Sequence, residues 1–165
     1  MRILVAGIGN VFFGDDGFGV EVANGLAASP LPEGVRLGEY GIRGVHLAYE
    51  LLEGYDVLVI VDAMPMGATP GTVALVEVDP ADLEGPATVD AHSMSPASVL
   101  AALGRLGGEI GRVVLVACEP SCLDEGIGLS AVVRAAVQPG IEAVRSLVEE
   151  LVGASGAPIG AKVRV

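Results

Sequence analysis

Tryptophan is absent from this chain of 165 residues, and three Phe and three Tyr are its only aromatic side chains. A core must therefore be built from Val, Leu, Ile and Ala. Cations are scarce as well: nine Lys and Arg stand against twenty-one Asp and Glu, for a formal net charge of −12. Such a chain repels phosphate backbones and anionic headgroups, which excludes nucleic acid and membrane surfaces as partners. No apolar run approaches the ~20 residues of a membrane span. The opening "MRILVAGIGN" holds a short apolar run and reads as a first strand rather than an export signal, so the expected compartment is the cytosol. There are two cysteines, Cys118 and Cys122. Their Cys-x-x-x-Cys spacing is neither a redox pair nor a four-ligand zinc set, and reduced thiols are expected. Disorder is excluded too, because hydrophobic residues make up 52% of the chain and charged residues only 18%.

What remains is an alternation of strands and helices. "RILVAG" (2–7) is a buried strand ending in glycine. Phe18, Val22 and Leu26 recur at four-residue steps, which predicts a helix over 16–29 opened by an aspartate cap. A weaker strand at 35–40, a helix at 43–54 and the unbroken apolar strand "DVLVIVDA" (56–63) follow. The connection 64–71 is too short for a parallel crossover, so it is read as a hairpin loop leading to an antiparallel edge strand at 72–78. A loop at 79–95, a helix from Ser95–Pro96 to 108, a strand at 112–118 and a helix at 129–152 complete the pattern. Pro139–Gly140 should kink or break that last helix. The fold class is α/β: a single three-layer domain, residues 1–152, with a mostly parallel twisted sheet of about five strands, one antiparallel edge strand, and helices on both faces. Residues 153–165 read as a flexible C-terminal tail.

The stretch "GIGNVFFGDDGFGV" carries the first chemical signal. Gly7 and Gly9 fit a dinucleotide loop, but the third glycine position is Phe12, and Asp15 and Asp16 would oppose a pyrophosphate. The glycines instead turn the chain at the top of a strand, and helix capping accounts for one carboxylate but not two. Asp62 closes the strand "VLVIVD", and the carboxyl ends of parallel strands line the crevice where ligands bind. His92, in a polar loop before the next helix, can reach that edge, whereas His46 lies on a helical stretch. Two carboxylates and an imidazole make an N/O metal site suited to nickel or zinc. The competing assignment leaves Asp62 as a turn residue and His92 as a merely exposed side chain.

"ILVAGIGNVFFGDDGFGV", "VIVDA" ending in Asp62, the His92 loop, "EP" at 119–120 and "GLS" at 128–130 occur in an order that resembles the hydrogenase maturation endopeptidases over residues 1–150. The resemblance implies that Asp16, Asp62 and His92 are both the metal ligands and the catalytic residues. It leaves Asp15 as a cap or supporting group. It implies a cytoplasmic, metal-dependent endopeptidase acting on the precursor of a nickel–iron hydrogenase large subunit, whose C-terminal extension it removes after nickel insertion. The cofactor is nickel, supplied by the precursor, with zinc or cadmium able to substitute in vitro. Hydrolysis would use a metal-polarised carbonyl or water, or a carboxylate as an aspartyl-type general base; the sequence leaves both open. It also leaves open the oligomeric state, for which a monomer suffices, and a second reading as a non-catalytic nickel-binding accessory protein. The family's Asp-Gly-Gly-Thr-x-x-Gly segment is replaced here by "EYGIRG" (39–44), which bears on partner identity.

Overall fold

The computed structural model describes residues 1–79 and 95–153. Five strands form one sheet: β1 (Ile3–Ile8), β2 (Val35–Gly41), β3 (Val57–Ala63), β4 (Val73–Val78) and β5 (Arg112–Cys118), in the order β2-β1-β3-β5-β4. All neighbours are parallel except β4, which runs antiparallel to β5 at one edge. Among the described residues, four helices are α1 (Phe18–Leu26), α2 (Gly44–Leu51), α3 (Pro96–Arg105) and α4 (Ala131–Gly153). Alternate strand residues point to opposite faces. Ile3, Val5, Val57, Val59 and Val61 therefore pack under α1 and α4, while Leu4, Ala6, Leu58 and Ile60 pack under α2 and α3. This double coverage explains why β1, β3 and β5 read as continuous apolar runs. No helix among the described residues is long and apolar enough to cross a membrane.

Three expectations need correction. The connection 64–71 is not a hairpin: β4 pairs with β5, not β3. The position beside β3 is taken by β5, which arrives later in the chain, so the connection passes over the end of β5. It is tied there by Met64 N–H to the Cys118 carbonyl at 2.9 Å and Gly71 N–H to the Glu119 carbonyl at 2.8 Å. The second correction concerns the break allowed at Pro139–Gly140: α4 runs through it, from Ala131 to Gly153. Losing one backbone bond costs about 3 kcal/mol, and the buried stripe Val133, Ala136, Val144, Leu147, Val148 and Leu151 offsets it. Gly140 is part of that stripe, because a Cβ there would lie 2.8 Å from the Phe18 ring of α1. The third is the aspartate cap: a 3-10 turn, Gly14–Gly17, precedes α1, and no side chain caps either element. Of the expected tail 153–165, Gly153 closes α4, and the rest lies outside the described residues.

The chain leaves β1 toward the β2 edge and returns to β3 on the other side. The carboxyl ends of β1 and β3 are thus the switch point of the sheet, where α/β folds open a crevice.

Candidate active site

Asp16 and Asp62 meet at that switch point, one just after β1 and the other next to last in β3. Their approach depends on two glycines. Gly9 has φ 121°, and a Cβ there would sit 1.8 Å from the Asp16 carbonyl oxygen. At Gly19 a Cβ would lie 2.1 Å from the Val61 carbonyl and 2.4 Å from that of Ile8. Only glycine lets the 3-10 turn fold back over the end of β1 and lets α1 settle directly on β1 and β3.

Asp16 is half-buried, and its Oδ2 accepts the Asn10 backbone N–H at 2.6 Å, which fixes the carboxylate toward the crevice loop. Asp62 is half-buried too, and its carboxyl is pushed up to about 8. Burial is the chief cause and the Asp16 charge the second, against a weaker opposing pull from the Ala63 backbone N–H. No ion pair among the described residues involves either carboxylate. Two mutually repelling oxygen donors without a cationic partner suit either a shared proton or a divalent cation, so the donor set fits a metal. No group of three or more His, Cys, Asp or Glu side chains among the described residues is gathered closely enough to hold one alone. His92, expected as the third ligand, lies outside the described residues. His46 is exposed on α2, as expected.

Asp15 has a role that the sequence does not disclose. It is fully buried, and its carboxylate takes four hydrogen bonds from the segment between β5 and α4. Oδ2 accepts the backbone N–H groups of Ser121 at 2.8 Å and Cys122 at 2.9 Å and the Ser130 hydroxyl at 3.0 Å, and Oδ1 accepts the Ser130 N–H at 2.7 Å. Burial raises the pKa of this group, but the hydrogen bonds outweigh it and leave the carboxyl below its ordinary value. Ser130 in turn accepts the Val133 N–H at 3.4 Å, in the manner of an N-cap for α4. Asp15 thus anchors the start of a different helix from the one it precedes.

Glu119 enters the sequence reading only as part of the "EP" motif, with no role assigned to it. It is buried, and its Oε2 accepts Met66 N–H at 2.6 Å and Ala68 N–H at 3.1 Å, holding the loop that follows Asp62. Its signal was a glutamate directly after the apolar strand ending at Cys118. That cysteine is buried, and burial, with Asp15 and Glu119 adding to it, pushes the thiol up to about 11. It is therefore no nucleophile at neutral pH. Cys122 is exposed.

Beside Asp16 a groove of about 380 Å³ is lined by Asn10, Val11, Phe12 and Val20 on one side and by Glu39–Arg43 on the other. Arg43 braces the second wall: its guanidinium donates to the Glu39 carbonyl at 2.7 Å and the Tyr40 carbonyl at 3.1 Å and pairs with the Glu39 carboxylate at 3.4 Å. Tyr40, pushed up to about 12 mainly by burial and next by the Glu50 charge, stays a neutral phenol. The groove is thus lined mainly by apolar surface.

The family model described as "Hydrogenase maturation protease" matches residues 20–147. The hydrogenase expression/formation protein HupD of Rhizobium leguminosarum bv. viciae is 34% identical, over 98% of this chain and 82% of its own length. The hydrogenase 2 maturation protease of Escherichia coli K12 is 32% identical, over 91% of this chain and 92% of its own. Among solved structures, the hydrogenase maturating endopeptidase HybD from E. coli superposes with a TM-score of 0.74 at 30% identity, covering 92% of this chain and 94% of that one. On this fold, this match and these relatives, the chain belongs to the hydrogenase maturation protease family.

Proposed function

We propose that this maturation protease is a cytoplasmic endopeptidase that removes the C-terminal extension of a nickel–iron hydrogenase large-subunit precursor, and that nickel carried by the precursor marks it as ready. The observation that carries the reading is the uncompensated carboxylate pair, Asp16 and Asp62, at the switch point of the sheet beside an apolar groove. Asp16, Asp62 and His92 are the proposed ligands and catalytic residues. Nickel bound there would supply Lewis-acid chemistry toward the scissile carbonyl or an attacking water. Each protein group has a separate task. Asp16, aimed by the Asn10 N–H, offers an oxygen donor. Asp62 holds a proton at its carboxyl until the pH approaches 8, or until a cation replaces that proton. The groove holds the extended chain on the side of Asp16. Zinc or cadmium, with the same preference for N/O donors, would substitute in vitro.

The test is direct. The purified protein is mixed with nickel-loaded precursor, and the products are weighed by mass spectrometry. A released C-terminal peptide and a correspondingly shortened subunit are expected. An intact precursor that nonetheless gives up or retains its nickel in complex with the protein would favour a non-catalytic nickel-handling role.

A further inference from the structure

Helix α2 buries Leu47, Ala48 and Leu51 against the sheet, as an amphipathic helix should. Its outer side is unusual. Val45 is 50% exposed, Tyr49 56%, and Leu52, the residue following the helix, 42%. These three, at steps of four and three, form a ridge on one side of the helix. Just before the helix stands Ile42, 61% exposed. Ile42 also lines the groove beside Asp16, so the ridge is the continuation of that groove away from the carboxylates.

The ridge itself is apolar, bounded by exposed Arg43 at one end and exposed Glu53 at the other. The one carboxylate of α2, Glu50, is engaged by Arg36 at 3.2 Å and by the Tyr55 hydroxyl. In a chain carrying −12, the carboxylate of α2 is thus already paired, and a partner centred on Val45 and Tyr49 meets a carboxylate only at the Glu53 end. Contiguous exposed apolar surface of this kind marks an interaction site. The groove, at about 380 Å³, holds only a few side chains. A specific protein complex buries roughly 800 Å² on each partner. The groove therefore needs adjoining surface; exposed Phe12 extends its first wall, and the α2 ridge continues it from the second wall, away from the carboxylates. A second copy of this chain seated there would crowd Ile42 and the groove mouth, which argues against self-association as its purpose.

We propose that Ile42, Val45, Tyr49 and Leu52 form a docking ridge for an apolar patch on the folded body of the protein substrate, outside the extension that is cleaved. The inference rests on the peptidase reading only for the identity of that substrate. The ridge supplies affinity and selects a folded precursor over a loose peptide. The groove and carboxylates act on the bond.

The experiment compares the wild type with V45D/Y49D and with the milder V45S/Y49S, using V152D, an exposed position on α4, as the matched surface control. Affinity for immobilised nickel-loaded precursor is read by biolayer interferometry, and cleavage by mass spectrometry. The ridge variants are expected to bind at least about tenfold more weakly and to raise KM with kcat nearly unchanged, as loss of a buried aromatic anchor does. V152D should match the wild type. Circular dichroism checks that each variant is folded, and the serine pair carries the test if the aspartate pair is not. Equal affinity of wild type and folded ridge variants would overturn the ridge, whether or not cleavage occurs. Absence of cleavage by the wild type, with affinity still lost in the ridge variants, would overturn the peptidase reading and leave the ridge standing. A concentration-dependent wild-type dimer that the ridge variants dissociate would also overturn the proposal, by assigning the ridge to a second copy.

Discussion

Two aspartates, Asp15 and Asp62, face opposite demands, and the difference is electrostatic. Asp15 is saturated by four donors, so its folded pKa is lowered and its ionised form stabilises the fold. That contribution is present above the ordinary carboxylate pKa and is lost as pH falls through the folded value. Asp15→Ala leaves three backbone N–H groups without their acceptor, at a cost of about 2 kcal/mol. The gap from wild type, read as urea midpoints, should be widest near neutral pH and narrow in strong acid. Asp62 runs the other way. Its folded pKa is raised to about 8, so the stability of its protonated form is full below the ordinary value of 3.8 and lost as pH rises toward 8. Without metal, Asp62→Asn should therefore unfold at a higher temperature than wild type at pH above about 8, and at nearly the same temperature near pH 4. A D62N variant less stable than wild type at alkaline pH would contradict the environment assigned to this carboxyl. The cysteines make a negative prediction. One thiol is buried with its pKa pushed up and the other lies outside the carboxylate pair, so C118A and C122A should each keep processing activity, as should the double variant, measured on a chain shown to be folded.

At the scale of elements, the site depends on how closely α1 approaches the strand ends. Gly19→Ala would drive a methyl group into the carbonyls of Val61 and Ile8, both backbone atoms that cannot step aside. Overpacking of this kind costs about 3 kcal/mol. The expected result is a large drop in melting temperature and, in any protein that still folds, weakened processing, because the same helix carries the 3-10 turn of Asp16. An unchanged melting temperature would show that α1 has more room than the close contacts imply. Elements were also where the sequence was most and least readable. β1, β3 and β5 are legible as apolar runs because both their faces are covered. The edge position of β4 was readable from the short connection before it, but its partner was not, since β5, the strand between, comes some thirty-five residues later in the chain. The continuity of α4 through Pro139 was hidden because local propensity favours a break, and the buried stripe that overrides it is tertiary. In the site, the bringing together of Asp16 and Asp62 followed from the rule that strand ends line the crevice. The duty of Asp15 did not, because its four donors lie more than one hundred residues away.

At the scale of the whole molecule, one acidic protein carries the paired carboxylates, the groove and the apolar ridge. On the proposed function, the carboxylates would face a cation, the groove an extended chain, and the ridge a folded partner. Asp16 and Asp62 come from separate segments, and no local ligand pair of the His-Glu-x-x-His kind pre-forms a site. On this account the working ion is the one the precursor brings, and its coordination is completed by Asp16, Asp62 and His92. The most direct measurement is a cleavage assay on the same precursor with and without nickel, alongside elemental analysis of the isolated protease. Wild-type protein should contain well under one tightly bound metal per chain and should release the C-terminal peptide only from nickel-loaded precursor. Asp16→Ala, Asp62→Ala and His92→Ala, folded by circular dichroism, should release none. Stoichiometric tightly bound zinc in the isolated protein, together with cleavage of nickel-free precursor, would contradict the account by showing that the metal belongs to the enzyme.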